Sequence, residues 1–128
     1  MKLLLDACVF LWLNGDLEKI PGRVQDACAT SDNELYLSVA SSWEIALKWQ
    51  SGRLTLPEEP SLWIPSRRER SGVEALAISE DDAFMVARLP PLHKDPFDRM
   101  LVSQALGGGM TLITPDPLIR QYPVRVLW

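Results

Sequence analysis

The stretch HKDPFDRMLVSQAL, residues 93–106, is the part of the sequence from which the fold is best interpreted. Asp95 belongs to the residue types favoured at helix N-caps, and Pro96 suits the first helical position, where its missing N–H costs nothing. Apolar residues then recur at helical spacing, and three glycines at 107–109 end the pattern. The stretch therefore predicts a helix with Asp98 in its first turn. There Asp98 either complements the helix dipole, a contribution of roughly 0.3–1 kcal/mol, or serves a functional site.

The composition predicts a single globular domain over residues 1–128. The chain is 47% apolar and 23% charged, and no apolar run approaches the roughly 18 residues of a membrane span. The apolar start at residues 1–5 resembles a signal peptide, but Asp6 interrupts it too early. We therefore expect a cytoplasmic protein with no membrane association. Cys8 and Cys28 lie in apolar or helical patterns, which favours buried free thiols over a disulfide or a zinc site.

The net charge of −4 argues against a protein that holds nucleic acid by bulk positive charge. It does not argue against a nucleic-acid enzyme with an acidic site, because bound divalent ions reverse the local sign of a carboxylate cluster.

Short apolar runs alternate with helical patterns along the chain, which predicts an α/β fold with a small parallel sheet of four to five strands flanked by helices. The predicted strands are residues 2–6, 34–38, 73–78, 110–114 and 125–128.

Four carboxylates lie near the predicted carboxyl ends of the strands, where open α/β sheets bind their ligands. Asp6 and Asp116 directly follow predicted strands, and Glu44 and Asp98 lie in helices that begin at the same sheet edge. Each also has a structural interpretation, since Asp6 and Asp116 suit helix N-caps and Glu44 can pair with Lys48 four residues later. Together, however, the four predict a convergent acidic site.

Such a cluster cannot stay fully ionised without a counter-charge. Oxygen ligands without histidine or thiolate select Mg²⁺, with Mn²⁺ as a substitute, over zinc. Ions of this kind activate water and stabilise the leaving oxygen of a phosphodiester. The set therefore predicts metal-dependent phosphodiester hydrolysis.

Other polar residues have weaker signals. Arg67, Arg68 and Arg70 form the densest basic run, and they are either a solvated face or a contact with substrate phosphates. His93 is the only histidine, and one histidine offers no metal-binding cluster, so we expect a structural or surface role for it.

Four stretches of the chain resemble PIN-domain ribonucleases, and more closely the VapC-type toxins of bacterial and archaeal toxin–antitoxin pairs. They are LLD at 4–6 with the following FLW, LSVASSWEIALK at 37–48, LPPLHKDPFDRML at 89–101 and LITPD at 112–116. The third is the most specific. The resemblance implies a PIN-like parallel sheet flanked by helices, a Mg²⁺-dependent endoribonuclease acting on RNA, homodimers, and inhibition by a cognate antitoxin that lays a C-terminal segment across the toxin groove.

The resemblance also implies roles for the four acids. Asp6 and Asp98 match direct metal ligands. Asp116 matches a ligand or a residue that supports the ligands, and Glu44 matches a ligand or the group that orients the attacking water. All four match the catalytic quartet of the family.

Three further positions bear on the match. Thr114 corresponds to a hydroxyl beside the site, and Asp95 to the helix cap that positions Asp98. One position departs from the family pattern, because the residue after the first acid is commonly threonine and is Ala7 here. That removes a hydroxyl near the metal but none of the acids.

Two other functions compete with the nuclease. A metal-dependent phosphatase or phosphotransferase would use Asp6 as nucleophile, but Cys8 stands where a haloacid-dehalogenase-like enzyme would need a second aspartate. A catalytically inactive partner-binding module would use the apolar surface of Trp12, Trp43 and Trp49, although tryptophans at helical spacing are more often core or dimer interface.

Overall fold

The computed structural model describes residues 1–128, and its centre is a five-stranded, entirely parallel sheet with the strand order β3-β2-β1-β4-β5. The strands are β1 (Lys2–Leu5), β2 (Glu34–Ser38), β3 (Val73–Leu76), β4 (Thr111–Ile113) and β5 (Arg125–Leu127). The predicted α/β fold class and all five predicted strands are confirmed.

Six α-helices connect these strands. They are α1 (Ala7–Leu13), α2 (Gly22–Ala29), α3 (Val39–Gln50), α4 (Pro60–Ser71), α5 (Glu80–Arg88) and α6 (Pro96–Gly108). Short 3₁₀ helices cover Leu17–Lys19 and Ile119–Gln121. None of the helices combines the length and the apolar character needed to cross a membrane.

The central strand β1 is buried on both faces, as its unbroken apolar run predicts. Leu3 and Leu5 join a core cluster that includes Phe10 of α1 and Trp63 of α4. Leu4 points into a second cluster that includes Leu101 of α6. The sheet therefore separates two cores. Side chains that follow the strands can gather at the carboxyl ends of the sheet.

Serine side chains cap the starts of α3 and α5. The Ser38 side chain accepts a hydrogen bond from the N–H of Ala40 at the start of α3. Ser79 and Asp82 form a reciprocal capping box at the start of α5. Helix α4 continues through Pro65, although proline inside a helix removes one backbone hydrogen bond.

Helix α3 has apolar residues on two sides, and the side that packs inward is not the one with the largest residues. Ala40, Ser41 and Ile45 are buried, whereas Trp43 is 59% exposed. The Trp43 ring makes an edge-to-face contact with Phe97 of α6, with ring centroids 5.1 Å apart. Trp43 is therefore a surface residue beside α6 and not part of the core.

Both cysteines are free and partly buried, as expected. Burial, together with the negative charges of Asp6 and Glu44, raises the pKa of Cys8 to about 12. The Cys8 thiol is therefore uncharged at neutral pH and is not a nucleophile.

Candidate metal centre

The carboxyl ends of β1 and β4 lie side by side and carry the first residues of the site. Leu5 and Ile113 are in register, so the residues that follow them, Asp6 and Thr114, leave the sheet at the same edge. The N–H of Asp6 donates to the carbonyl of Ile113, which extends the pairing by one residue. Parallel topology alone thus brings together two positions that are far apart in sequence.

Asp6 is 7% exposed and occupies the N-cap position of α1, but its side chain makes no capping hydrogen bond. Its Oδ2 instead accepts a 2.6 Å hydrogen bond from the Thr114 hydroxyl. Burial raises the pKa of Asp6, the bond from Thr114 opposes this, and the charge of Glu44 raises it further. The carboxylate is therefore held in place by Thr114 and not by its own helix.

Asp98 is placed by the cap of α6. The side chain of Asp95 accepts hydrogen bonds from the backbone N–H groups of Phe97 and Asp98, at 2.8 and 3.1 Å. This fixes the first turn of α6, from which the 8% exposed Asp98 faces the sheet edge. The role expected for Asp95, as the cap that positions Asp98, is what the structure shows.

Glu44 makes the ion pair that its sequence context predicted and also lies beside the other acids. Its Oε2 pairs with the Lys48 ammonium at 3.0 Å, one helical turn further along α3. Its Oε1 is buried and has no hydrogen-bond partner. A buried carboxylate oxygen without a partner is costly. The unpartnered Oε1 is therefore evidence that a ligand binds beside Glu44.

Asp6, Glu44 and Asp98 each contribute a carboxylate oxygen to a group whose members all lie within 4.8 Å of one another. Burial, reinforced by the charges of Asp6, Asp95 and Glu44, raises the pKa of Asp98 to about 8. The three acids therefore repel one another, and a cation is needed before all of them can be ionised at neutral pH. We call them the carboxylate triad.

Asp116 joins this triad only indirectly. It forms a second group with His93 and Asp98, again within 4.8 Å, so that Asp98 is the member that both groups share. Its own geometry is fixed locally: its N–H donates to Thr114 Oγ1, and its Oδ1 accepts from the N–H of Leu118. The structure thus gathers three of the four predicted acids and places the fourth beside them.

His93, for which a structural or surface role was expected, lies between Asp98 and Asp116. Its Nε2 is 2.8 Å from Asp98 Oδ2 and 3.1 Å from Asp116 Oδ2, and its side chain is only 11% exposed. Although burial lowers it, the hydrogen bond to Asp116 and the charge of Asp98 raise the pKa of His93 above its usual value. A surface role for His93 is therefore wrong: its imidazole lies within the acidic site and hydrogen-bonds to two of the four acids.

Tertiary contacts account for this placement. The guanidinium of Arg99 donates to the carbonyls of Pro90 and Val86, which fixes the loop between α5 and α6. The hydroxyl of Tyr122 accepts a hydrogen bond from the His93 N–H. Nothing local in the sequence announces these contacts, so sequence reasoning had no signal for His93.

The sequence of the chain matches a known protein family. The family model described as the PIN domain matches residues 3–124, which is nearly the whole chain. The chain belongs to the PIN domain family. This confirms the resemblance on which the expected quartet was based.

A curated relative and several solved structures add detail to the PIN assignment. Ribonuclease VapC16 of Mycobacterium tuberculosis is 39% identical over 46 residues, which are 36% of this chain and 33% of that protein. The chain therefore aligns with only about one third of this relative's length.

The fold matches more completely. VapBC2 from Rickettsia felis, bound to a DNA fragment from its promoter, has a TM-score of 0.72 at 15% identity and covers 99% of this chain and 98% of the other. DNA-bound VapBC from Salmonella typhimurium has a TM-score of 0.70 at 16% identity, with 99% and 97% covered. At these identities the comparison establishes the fold.

The donor set of this PIN domain fits a hard divalent cation. The triad offers only carboxylate oxygens, which Mg²⁺ and Mn²⁺ prefer, and it lacks the thiolates and imidazoles of most zinc sites. The unpartnered Glu44 Oε1 is independent evidence that a cation fits this site, since it needs a cation or a donor that no neighbouring residue provides.

Proposed function

We propose that this PIN domain is a Mg²⁺-dependent endoribonuclease that acts in the cytoplasm as the toxin of a VapBC-type toxin–antitoxin pair. One observation carries the proposal: Asp6, Glu44 and Asp98 place carboxylate oxygens within 4.8 Å of one another, with one Glu44 oxygen buried and unpartnered. All three carboxylates can be ionised together at neutral pH only with a cation between them, and Mg²⁺ is the common ion that retains water and binds phosphate oxygens.

Asp6 and Asp98 are the residues we assign as direct metal ligands, with Glu44 as a ligand or as the acceptor that orients the attacking water. Asp116 is assigned as a further ligand or as a support for the others, since it lies beside Asp98 in the second acidic group. A bound Mg²⁺ would supply an activated water and charge stabilisation at the leaving oxygen of the phosphodiester. Thr114 and Asp95 act through others, holding Asp6 and the first turn of α6 in position.

The partners follow from the same comparison. The similar structures are described as VapBC complexes, and this supports a cognate antitoxin as the inhibitor of this chain. We further propose a homodimer and an RNA substrate. A phosphatase with Asp6 as nucleophile and an inactive partner-binding module are less favoured, because the chain matches the PIN domain over residues 3–124 and retains the acidic cluster.

The test is cleavage of single-stranded RNA by the purified chain with Mg²⁺. Asp6→Asn and Asp98→Asn should each abolish cleavage while the protein remains folded, because each removes one ligand charge without changing side-chain shape. Asp16→Asn is the matched control, since Asp16 is exposed and pairs only with Lys19 at 4.0 Å. The proposal is wrong if the two site variants cleave RNA as well as the control does.

The toxin role has its own test. Expression of the chain without its neighbouring small open reading frame should arrest growth, and co-expression of that reading frame should restore it. Arrest that persists with the Asp98→Asn variant would show that toxicity does not come from the metal centre.

A further inference from the structure

A cleft beside the carboxylate triad is lined by the C-terminal half of α3, the turn that follows it and the start of α6. Its volume is about 510 Å³, within the range of roughly 300–1,000 Å³ that small-molecule sites occupy. Glu44 is part of its wall. A nucleotide chain that passes the triad can therefore continue directly into this cleft.

The charges in the cleft favour a phosphate. Lys48 and Arg53 line it, and so do two acids, Glu44 and Asp95. Asp95 is engaged by the backbone N–H groups at the start of α6. Glu44 belongs to the triad, and the two positive charges of the proposed metal would offset most of the triad's negative charge. With Glu44 offset in this way, Lys48 and Arg53 outnumber Asp95 among the charges that line the cleft.

Arg53 is the cation that is free to bind a ligand. Lys48 is paired with Glu44, whereas none of the four ion pairs of the chain involves Arg53. A tight turn returns Arg53 to the end of α3, because the N–H of Arg53 donates to the carbonyl of Lys48 at 2.9 Å. Gly52, at φ +78°, makes this turn possible, since that conformation strains other residues.

The cleft also offers an apolar surface to an unpaired base. Leu47 and Phe97 are its two apolar residues, and Leu47 is exposed in the uncomplexed chain. Sites for single-stranded nucleic acid combine cations along the backbone with aromatic or apolar surfaces for the bases. Arg68, from the basic run of α4, lines a separate cavity that contains none of the four acids.

We propose that this cleft binds the RNA nucleotide next to the scissile bond, with Arg53 contacting its phosphate and Leu47 and Phe97 facing its base. This inference rests on the proposed ribonuclease function and adds a positioning site to it. Arg53 does not touch the reacting atoms, so its loss should weaken substrate binding and leave the chemical step unchanged.

The experiment is steady-state cleavage of a short single-stranded RNA with Mg²⁺ at several salt concentrations. Arg53→Gln should raise KM about three- to tenfold with kcat unchanged, and it should reduce the slope of log(kcat/KM) against log salt by about 0.7, the value for one phosphate contact on a single strand. Arg53→Lys keeps the charge and should retain most of the slope.

Arg125→Gln is the matched control. Arg125 is the first residue of β5 and is exposed, so it lies at the end of the sheet opposite to the carboxyl ends that carry the triad. The same change of net charge there should leave KM and the slope unaltered. Equal effects of Arg53→Gln and Arg125→Gln would show that only net charge matters and would overturn the inference.

The remaining outcomes separate the two proposals. If the parent chain cleaves RNA and Arg53→Gln has the parental KM, the cleft assignment is wrong and the nuclease proposal stands. If Arg53→Gln instead weakens only inhibition by the antitoxin, the cleft binds a protein segment and the inference is also wrong. If the parent chain cleaves no RNA, both proposals fail together.

Discussion

The hydroxyl of Thr114 donates a 2.6 Å hydrogen bond to Oδ2 of Asp6, a residue 108 positions earlier in the chain. The bond exists because β1 and β4 are neighbours in register, so that the residues after Leu5 and Ile113 meet. A hydrogen bond that stabilises the charged form of a carboxylate opposes the effect of burial on its pKa. In the proposed metal centre, Thr114 would therefore favour the ionised form of Asp6 that a cation binds.

Thr114→Val should weaken Mg²⁺ binding by about 10- to 100-fold, the usual effect of removing a partner that orients a metal ligand. The valine keeps the volume but leaves Asp6 Oδ2 without its donor. Calorimetric titration of Mg²⁺ measures the change. Thr114→Ser restores the hydroxyl and should bind nearly as the parent does, and an equally weak serine variant would exclude the hydrogen bond as the cause.

Local patterns predicted the elements that carry the acids, because caps and apolar spacing act over a few residues. The Asp95 cap, Pro96 and the first turn of α6 could be read directly. Parallel topology then sufficed to bring Asp6 and Asp98 to one edge. The sequence could not show which face of a helix would be buried or how a loop would pack against distant residues.

Two residues show this limit. Both sides of α3 carry apolar residues, so periodicity could not say that Ile45 would be buried and Trp43 exposed. The position of His93 depends on bonds made by Arg99 and Tyr122, which lie outside its own segment. Such contacts form only after the helices have packed.

The metal-free protein should lose stability as pH rises. The folded pKa of Asp98 is about 8 against an ordinary value of 3.8, so the folded state binds a proton that the unfolded state has released. This contribution is complete below pH 4 and is lost as pH rises to about 8. Denaturation in a chelator at both ends of this range measures it.

Asp98→Asn is the variant that isolates the effect. It should stabilise the metal-free protein at pH 8 by more than about 1 kcal/mol, since one unit of pKa displacement corresponds to about 1.4 kcal/mol and the folded pKa of Asp98 lies well above 3.8. Near pH 4 the variant and the parent should be similar. A parent protein that is more stable at pH 8 than at pH 4 without metal would contradict this account of Asp98.

Lys48→Met should lower the stability of the metal-free protein by up to about 1 kcal/mol. The substitution removes the cation at 3.0 Å from Glu44 and increases repulsion within the triad. Saturating Mg²⁺ should restore most of the loss, because the ion replaces the missing charge. Chemical denaturation with and without Mg²⁺ measures both values.

Lys19→Met provides the comparison for Lys48. Its ion pair with Asp16 is longer, at 4.0 Å, and both side chains are about half exposed. We expect a smaller loss that Mg²⁺ does not restore. If Mg²⁺ affects the two lysine variants equally, Lys48 has no electrostatic connection with the metal centre.

His93→Ala should leave Mg²⁺ affinity unchanged or raise it severalfold. In the uncomplexed chain the imidazole occupies the space between Asp98 and Asp116 and engages an oxygen of each. Mg²⁺ prefers the oxygens to the imidazole, so removal of His93 frees them. Metal titration decides the matter, and a tenfold loss of affinity would mean that His93 is itself a ligand.

The most direct test of the metal centre is a calorimetric titration of Mg²⁺ into the metal-free parent chain and into the Asp6→Asn/Asp98→Asn double variant. The parent should bind Mg²⁺ saturably, and the double variant, with two of the three triad charges removed, should give no saturable heat. Mn²⁺ should behave like Mg²⁺ in both proteins. Equal Mg²⁺ affinity in the parent and the double variant would show that the carboxylate triad does not hold the ion.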